Sequence, residues 1–587
     1  MVRNPEQLKQ TILAEAPNPQ QQSAIFAEEE EFLLRASPGS GKTWTSCRRF
    51  LWRVENWKDK YGGLALLSFT NTAIHEFEKA ANLAKRGTSL LEPNFIGTFD
   101  AFLERFLMSR FGHLEAGTLT RPRLFLEPRP GDRKNKDWVA WIDGPKGKMP
   151  IPAWEIAPSM EQGKLVFNGW MSYHWQSIPR AEGLRAIKNF LKSGYYTHVQ
   201  RGFWACCILR KYPALLKILS RRFPEVIVDE AQDSGVWLVQ FLKEIKSVGS
   251  RITLVGDPDQ CIYEFSFASA SSLSELAENW KLKQLPLDKS FRCNEAIANA
   301  VRHVGCNKDF VGRDAPRKPC EMAYVFAEAD PSCKNAIGFF QSVLKEAECS
   351  IGESAIICRG HEQIAKVRGS ARYLVLQGKT KALAEAAFVR DKLGDFKGAY
   401  ERVEKIIRSL DENEVVSKCL DDQPESEAAI AIKTAIWQYV RSSDQLPPIS
   451  LSSAAWLEKV KNGIGLLLKT LAVTKYPKLG TQFKRTGIDE DQQELPLLEE
   501  YAQFPPIRLE TIHKVKGEGL DGVLVVGSKN FFDQVANDIS QGKESEERRL
   551  CYVAMTRARH VLVVAAPSAH LQKFKTFWQE AGFKVVV

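Results

Sequence analysis

Residues 32–43 read FLLRASPGSGKT, and this stretch decides the fold. Phe32–Leu34 is a short apolar strand, a Gly-rich turn follows, and a helical pattern opens at Lys42. A turn placed between strand and helix aims backbone N–H groups and the positive end of the helix at a phosphate chain. In that pattern Lys42 reaches the β- and γ-phosphates, and the Thr43 hydroxyl ligates Mg²⁺. Ala36 stands where the common pattern has its first Gly, a small-residue exchange that keeps the loop tight. The cradle is therefore Ala36, Ser37, Gly39, Ser40, Gly41, Lys42 and Thr43, with Trp44 directly after it.

A phosphate loop needs a metal-holding acid on a neighbouring strand. Residues 224–233 read PEVIVDEAQD, an apolar strand with Asp229 and Glu230 at its C-terminal end, where open α/β sheets present ligands. Asp229 is expected to hold Mg²⁺ through water, and Glu230 to polarise an attacking water. Further short apolar runs, at 64–69, 94–97 and 252–255, alternate with helical patterns, which indicates a parallel sheet with crossover helices. A second α/β block has runs at 354–358, 522–526 and 560–565. The fold class read from this is α/β, with two parallel-sheet domains, each interrupted by an insert. The expected boundaries are 1–107 with 202–285 for the first domain and 286–370 with 505–587 for the second. The inserts are 108–201, mixed in character, and 371–504, mainly helical by pattern.

Length and composition fit this division. The chain has 587 residues, and at roughly 150 residues per domain four units are expected. It carries 81 Lys+Arg against 71 Asp+Glu, a net +10, which permits a polyanionic partner without requiring one. No run of about 18 apolar residues is present, so no membrane span is expected, and residues 1–21 lack the apolar core of a signal peptide. Twelve scattered Cys with no CxxC pair fit a reducing cytoplasm. Six of the fourteen Trp lie from Trp138 to Trp204, five of them inside the first insert. Residues 121–148 carry eight Lys/Arg against four Asp/Glu, with Phe125, Trp138 and Trp141 interleaved. That composition reads equally as a nucleic-acid surface and as a small core of its own, with a protein-partner surface as a third reading.

Taken in order, the motifs resemble those of the UvrD/Rep/PcrA group of superfamily 1 DNA helicases. The likeness covers both α/β blocks, and the inserts match in position only. It implies two RecA-like motor domains, ATP and Mg²⁺ as the nucleotide and metal, and single-stranded or tailed DNA as the partner. Residues 18–24 (NPQQQSA) resemble the adenine-reading motif, with Gln21 in the key place. Residues 67–77 (LSFTNTAIHEF) and 97–102 (GTFDAF) resemble the motifs that grip single-stranded DNA, which implies Phe69, Thr70, Asn71, Thr98 and Phe99. In 255–265 (VGDPDQCIYEF), Gln260 matches the γ-phosphate sensor, while Tyr263 and Phe265 match residues that face bases. Residues 289–292 (KSFR) imply that Phe291 stacks on adenine and Arg292 meets the γ-phosphate. Residues 511–521 (TIHKVKGEGLD) and 546–559 (EERRLCYVAMTRAR) resemble the last two motifs, implying His513 on DNA, Glu518 on the ribose and Arg557 as a second arginine finger.

The chain departs from that pattern at several positions. Trp44 replaces an Arg common near the adenine, Asp100 replaces a His, and Ser266-Phe267-Ala268 replaces Arg-Gly-Ala in the coupling loop. The fifth-motif Glu comes one position early, at Glu518. This variant is similar to short UvrD-like helicases of bacterial defence loci such as the Gabija helicase subunit, which implies an OLD-family nuclease subunit as partner. The segment after Arg559 is too short for a fused nuclease domain, so the chain is expected to cut no DNA itself. The resemblance implies a 3′-to-5′ translocase and helicase. A DNA-stimulated ATPase switch that activates a partner nuclease is the second reading.

Overall fold

The computed structural model describes residues 4–28, 31–59, 61–68, 77, 92–126, 128, 132, 135–144, 147–171, 174–262, 270–330, 332–367, 378–422, 425–448, 453–483 and 507–586. The chain divides into two compact units. One comprises Met1–Phe125, Trp138–Ile364 and Pro506–Val587; the other comprises Leu126–Asp137 and Ala365–Pro505.

The larger unit contains two six-stranded sheets, each parallel throughout. Across the first, the order is Lys283–Leu287, Phe32–Ala36, Arg251–Gly256, Glu225–Val228, Leu64–Ser68 and Phe95–Thr98. Its central strands are largely buried on both faces because helices cover both, as parallel sheets require. The edge strand Lys283–Leu287 pairs with the phosphate-loop strand along its whole length, so the first sheet runs past the expected boundary at 285. Across the second sheet the order is Arg508–Thr511, Ala355–Cys358, Leu520–Val526, Ala558–Pro567, Met322–Glu328 and Lys584–Val586. Its central strands are buried along nearly their full length, and the helices Glu295–Val304 and Glu546–Met555 pack against it to close its core.

Within the first insert, Val139–Gly144 pairs with Gly147–Pro152, and Ile156–Glu161, Lys164–Met171 and His174–Ile178 form a three-stranded meander, all antiparallel. Its core is not separate. Trp138, Phe167 and Phe190 belong to the same apolar cluster as Leu67, Phe102 and Leu238 of the first sheet's layer. The helix His198–Lys211 crosses the expected boundary at 201 and packs on Val236–Ser247. There a Cβ on Gly202 would stand 2.5 Å from Trp237 Cβ, and the Trp237 indole N–H donates to the Pro158 carbonyl at 2.8 Å.

The smaller unit is helical. Gly378–Leu393, Phe396–Leu410, Val415–Asp422, Glu427–Arg441 and Ser453–Thr470 enclose their own core around Val403, Ile436, Tyr439 and Trp456. Among the described residues no helix is long and apolar enough to cross a membrane.

Candidate active site

The phosphate loop leaves its strand at Ala36 and enters the helix Lys42–Glu55 through Gly41. Gly39 and Gly41 have φ of +72° and +82°, values that Gly adopts without cost. Gly39 is also fixed by contact, since a Cβ there would lie 2.5 Å from Arg292 Cβ. Its carbonyl accepts from Phe291 N–H at 2.8 Å, so the loop is docked directly on the segment carrying Phe291 and Arg292. Asn307 reinforces this, donating from Nδ2 to Ser37 Oγ at 2.8 Å and to Asp288 Oδ1 at 2.9 Å.

Opposite the loop stand the acids of the neighbouring strand. Lys42 Nζ lies 2.9 Å from Glu230 Oε2, and Thr43 Oγ1 donates to Asp229 Oδ2 at 3.1 Å. Glu230 adopts φ +54°, a left-handed conformation that is strained for this residue. Burial raises the pKa of Asp229, and the Glu230 charge adds to the rise. Burial acts on Glu230 too, but Lys42 and Lys516 outweigh it and hold its carboxyl below the ordinary range. Asp229 Oδ1 is buried and has no hydrogen-bond partner. Such an atom calls for a cation or its hydration shell. Thr43 and Asp229 thus fit a hydrated Mg²⁺.

The second sheet brings two arginines to the same place. Arg557, 1% exposed, donates to the carbonyls of Val553 and Glu518, to Thr556 Oγ1, and to Gln260 Oε1 at 3.2 Å. Gln260 in turn donates to Asp257 Oδ2 at 2.7 Å. Arg292 donates to the carbonyls of Thr556 and Gly517. Neither guanidinium has a carboxylate partner among the described residues. Burial, and then Arg292 beside it, push Arg557 down to about 9. Burial likewise lowers Arg292, with Arg559 adding to the effect. Lys42, Thr43, Glu230, Gln260, Arg292 and Arg557 all border one cleft of about 540 Å³, with Trp44 and a 39%-exposed Phe291 ring on its walls.

Several expected residues lie elsewhere. Gln21 is 4% exposed, and its amide forms a capping box with Asn18 and donates to the Ser40 carbonyl at 3.1 Å, so it props the loop. Glu518 is engaged as well. Arg508 donates to both of its carboxylate oxygens, at 2.6 and 3.0 Å, and turns the group toward itself. Phe99 packs in the first core against Phe241, 5.5 Å between ring centroids, and so offers no face to a base. Thr98 caps the helix that follows it, and His513 Nε2 sits 3.1 Å from the Ile262 carbonyl. Asp100 faces Arg201 Nη1 at 3.3 Å. Phe69, Thr70, Asn71, Tyr263 and Phe265 lie outside the described residues. In the first insert Phe125 and Trp138 are core, whereas Trp141, Trp170 and Trp175 are each more than a third exposed.

Three residues escaped the sequence reading although two stand inside its motifs. Lys516 Nζ bridges to both Asp233 oxygens, at 2.6 and 2.7 Å, and donates to the Gln260 carbonyl at 2.8 Å. It thereby ties the second sheet's loop to the end of the PEVIVDEAQD segment. Tyr552 donates to Asp257 Oδ2 at 3.3 Å. Arg313, which no motif flags, is buried and donates to the carbonyls of Arg292 and Arg559 while pairing with Glu321.

A phosphate loop and strand-end acids on one parallel sheet, met by two arginines from a second, define a two-sheet nucleotide-cleft ATPase of the helicase type. The UvrD/REP helicase N-terminal domain model matches residues 17–141 and 188–281, and the UvrD-like helicase C-terminal domain model matches 479–568, together just over half of the chain. The chain belongs to the UvrD-like helicases. DNA helicase II of Haemophilus influenzae is 21% identical over 94% of this chain and 84% of its own length. ATP-dependent DNA helicase PcrA of Staphylococcus aureus is 21% identical over 94% and 83%. The Gabija protein GajB of Bacillus cereus is 25% identical over 47% of this chain and 46% of its own.

Proposed function

We propose that the protein is an ATP-dependent, 3′-to-5′ single-stranded DNA translocase and helicase, acting in DNA repair or anti-phage defence. The observation that carries this is the meeting of Lys42 and Glu230 with Arg292 and Arg557 in one cleft between two sheets. Phosphoryl transfer is catalysed mainly by positioning and charge. Lys42 binds the terminal phosphates once it leaves Glu230. Glu230, kept ionised, then orients and polarises the attacking water. Arg292 and Arg557 neutralise charge that develops on the transferred group, and Gln260 fixes Arg557 in place. Bound Mg²⁺, held by Thr43 and Asp229, supplies further neutralisation of phosphate charge. Loss of the γ-phosphate removes the anion both arginines require, so the two halves separate and DNA is passed between them.

Strand displacement on 3′-tailed and 5′-tailed duplexes tests this reading. Displacement of the 3′-tailed substrate alone is expected. ATP turnover with no displacement of either, with or without a partner, refutes the helicase.

That outcome would favour the second reading, a DNA-stimulated ATPase switch activating an OLD-family nuclease subunit. The likeness to GajB over about half of each chain supports it. So does Asp100, an acid in a DNA-gripping motif that turns to Arg201.

A further inference from the structure

The cleft holds more positive charge than a triphosphate uses. Lys42, Arg292 and Arg557 gather at the phosphate loop and Gln260. Two more guanidinium groups, Arg317 and Arg559, line the same cleft. Glu230 is the sole carboxylate among its described lining residues, and Lys42 already engages it. Arg317 is exposed, and among the described residues no acceptor pairs with its guanidinium. Arg559 is 42% exposed, and its ion-pair contact is a long one, 3.4 Å to Asp521.

The wall beside these arginines carries no acid facing the cleft. Gly517 and Gly519 form it. A Cβ on Gly519 would stand 3.0 Å from Arg559 Nε and 3.2 Å from Arg292 Nε, so the arginines press against bare backbone. At Gly517 a Cβ would meet nothing within 4 Å, which leaves open space in front of it. Glu518, between them, is turned to Arg508. A carboxylate beside a sugar selects its hydroxyls, accepting their hydrogen bonds and repelling any added phosphate; an arginine favours the phosphate. With the 5′-phosphates at the loop and the base on Phe291, the sugar lies between them. Of the arginines left over, Arg559 stands beside Arg292 at Gly519, and Arg317 lines the same cleft.

We infer that the cleft accepts nucleotides bearing a further phosphate on the ribose, held by Arg317 and Arg559 at the Gly517–Gly519 wall. The inference rests on the reading of this cleft as the ATP site. A nucleotide of that class competes with ATP and makes the motor responsive to its concentration.

Equilibrium competition against fluorescent ADP on the full chain tests this, with AMP, adenosine 2′,5′-bisphosphate and adenosine 3′,5′-bisphosphate as probes. At least one bisphosphate is expected to bind about tenfold more tightly than AMP, as a charge-assisted contact of this type provides. The double variant Arg317→Gln with Arg559→Gln is expected to bring it back to within about twofold of AMP. Equal affinity of AMP and both bisphosphates overturns the inference, and so does a gain that survives the double substitution. An equal loss of ADP and bisphosphate affinity in the variant overturns it too, because the arginines then serve the 5′-phosphates. If fluorescent ADP itself fails to bind the unaltered protein, the underlying nucleotide reading falls and takes the inference with it, a result distinct from the other three.

Discussion

The two halves of the nucleotide cleft carry opposite kinds of electrostatic debt. On the first sheet's side the charges have ionic partners: Lys42 is paired with Glu230, and Asp233 with Lys516 of the second sheet's loop. On the second sheet's side, Arg292 and Arg557 are held by carbonyls and an amide, with no carboxylate among the described residues. A buried cation surrounded by neutral acceptors is costly until an anion arrives. The first half can therefore bind a nucleotide by exchanging partners, whereas the second is stabilised only when a phosphate bridges the cleft. We propose from that contrast that binding rests on the first half and turnover on the second.

The contrast can be broken most sharply at Lys42. Lys42→Ala is expected to reduce ATP turnover by on the order of 10³-fold or more while single-stranded DNA binding stays measurable. Undiminished turnover refutes the site. Next comes Arg557→Ala, expected to lower kcat by about 10²- to 10³-fold with nucleotide affinity changed by no more than about threefold. If affinity falls as far as kcat does, measured by single-turnover kinetics and equilibrium binding, the two halves do not differ in kind.

A smaller effect is expected at Glu518, whose carboxylate is committed to Arg508. Glu518→Gln should leave KM for ATP within about twofold and cost no more than about 1 kcal/mol of stability, since the pair is partly exposed. A large rise in KM would return Glu518 to the ribose.

The smallest effect concerns pH. Burial pushes Asp233 up to about 6, against the pull of Lys516, and pushes Asp257 up to about 6, with Asp259 adding to it. In both, the folded state keeps a proton that the unfolded chain has already lost. The resulting stability is complete below about pH 4 and vanishes as pH rises through about 6. The apparent melting temperature of the nucleotide-free protein should carry a downward component over that interval, and Asp233→Asn should flatten it. An unchanged slope in the variant excludes Asp233 as its source.

The residues most legible in the sequence are those whose role is set by the backbone around them. The strand–turn–helix order at 32–43 fixes where Lys42 and Thr43 point, and the strand end at 228 fixes Asp229 and Glu230. Side-chain direction was the illegible part. Nothing local tells Phe99, buried against Phe241, from Phe291, which lines the cleft, and nothing local tells Glu518 that Arg508 lies across a strand from it. The edge strand Lys283–Leu287 was missed because its KQLPL pattern contains a Pro and faces solvent at alternate positions, a weak signature for a strand. Arg313 and Lys516 act through partners more than 200 residues away in one direction or another, and sequence spacing is blind to that.

The weld between the first insert and the first sheet has a mechanical consequence. The helix His198–Lys211 belongs to both, and Gly202 lets it lie flush on Trp237, four residues beyond Asp233. With one continuous core, the insert has little compliance of its own. A load applied to its outer surface, where Trp141, Trp170 and Trp175 stand, is transmitted as by a lever arm to the strand end that carries Glu230. One apolar cluster runs from the support of that surface to Val228 and Ala231, on either side of Glu230.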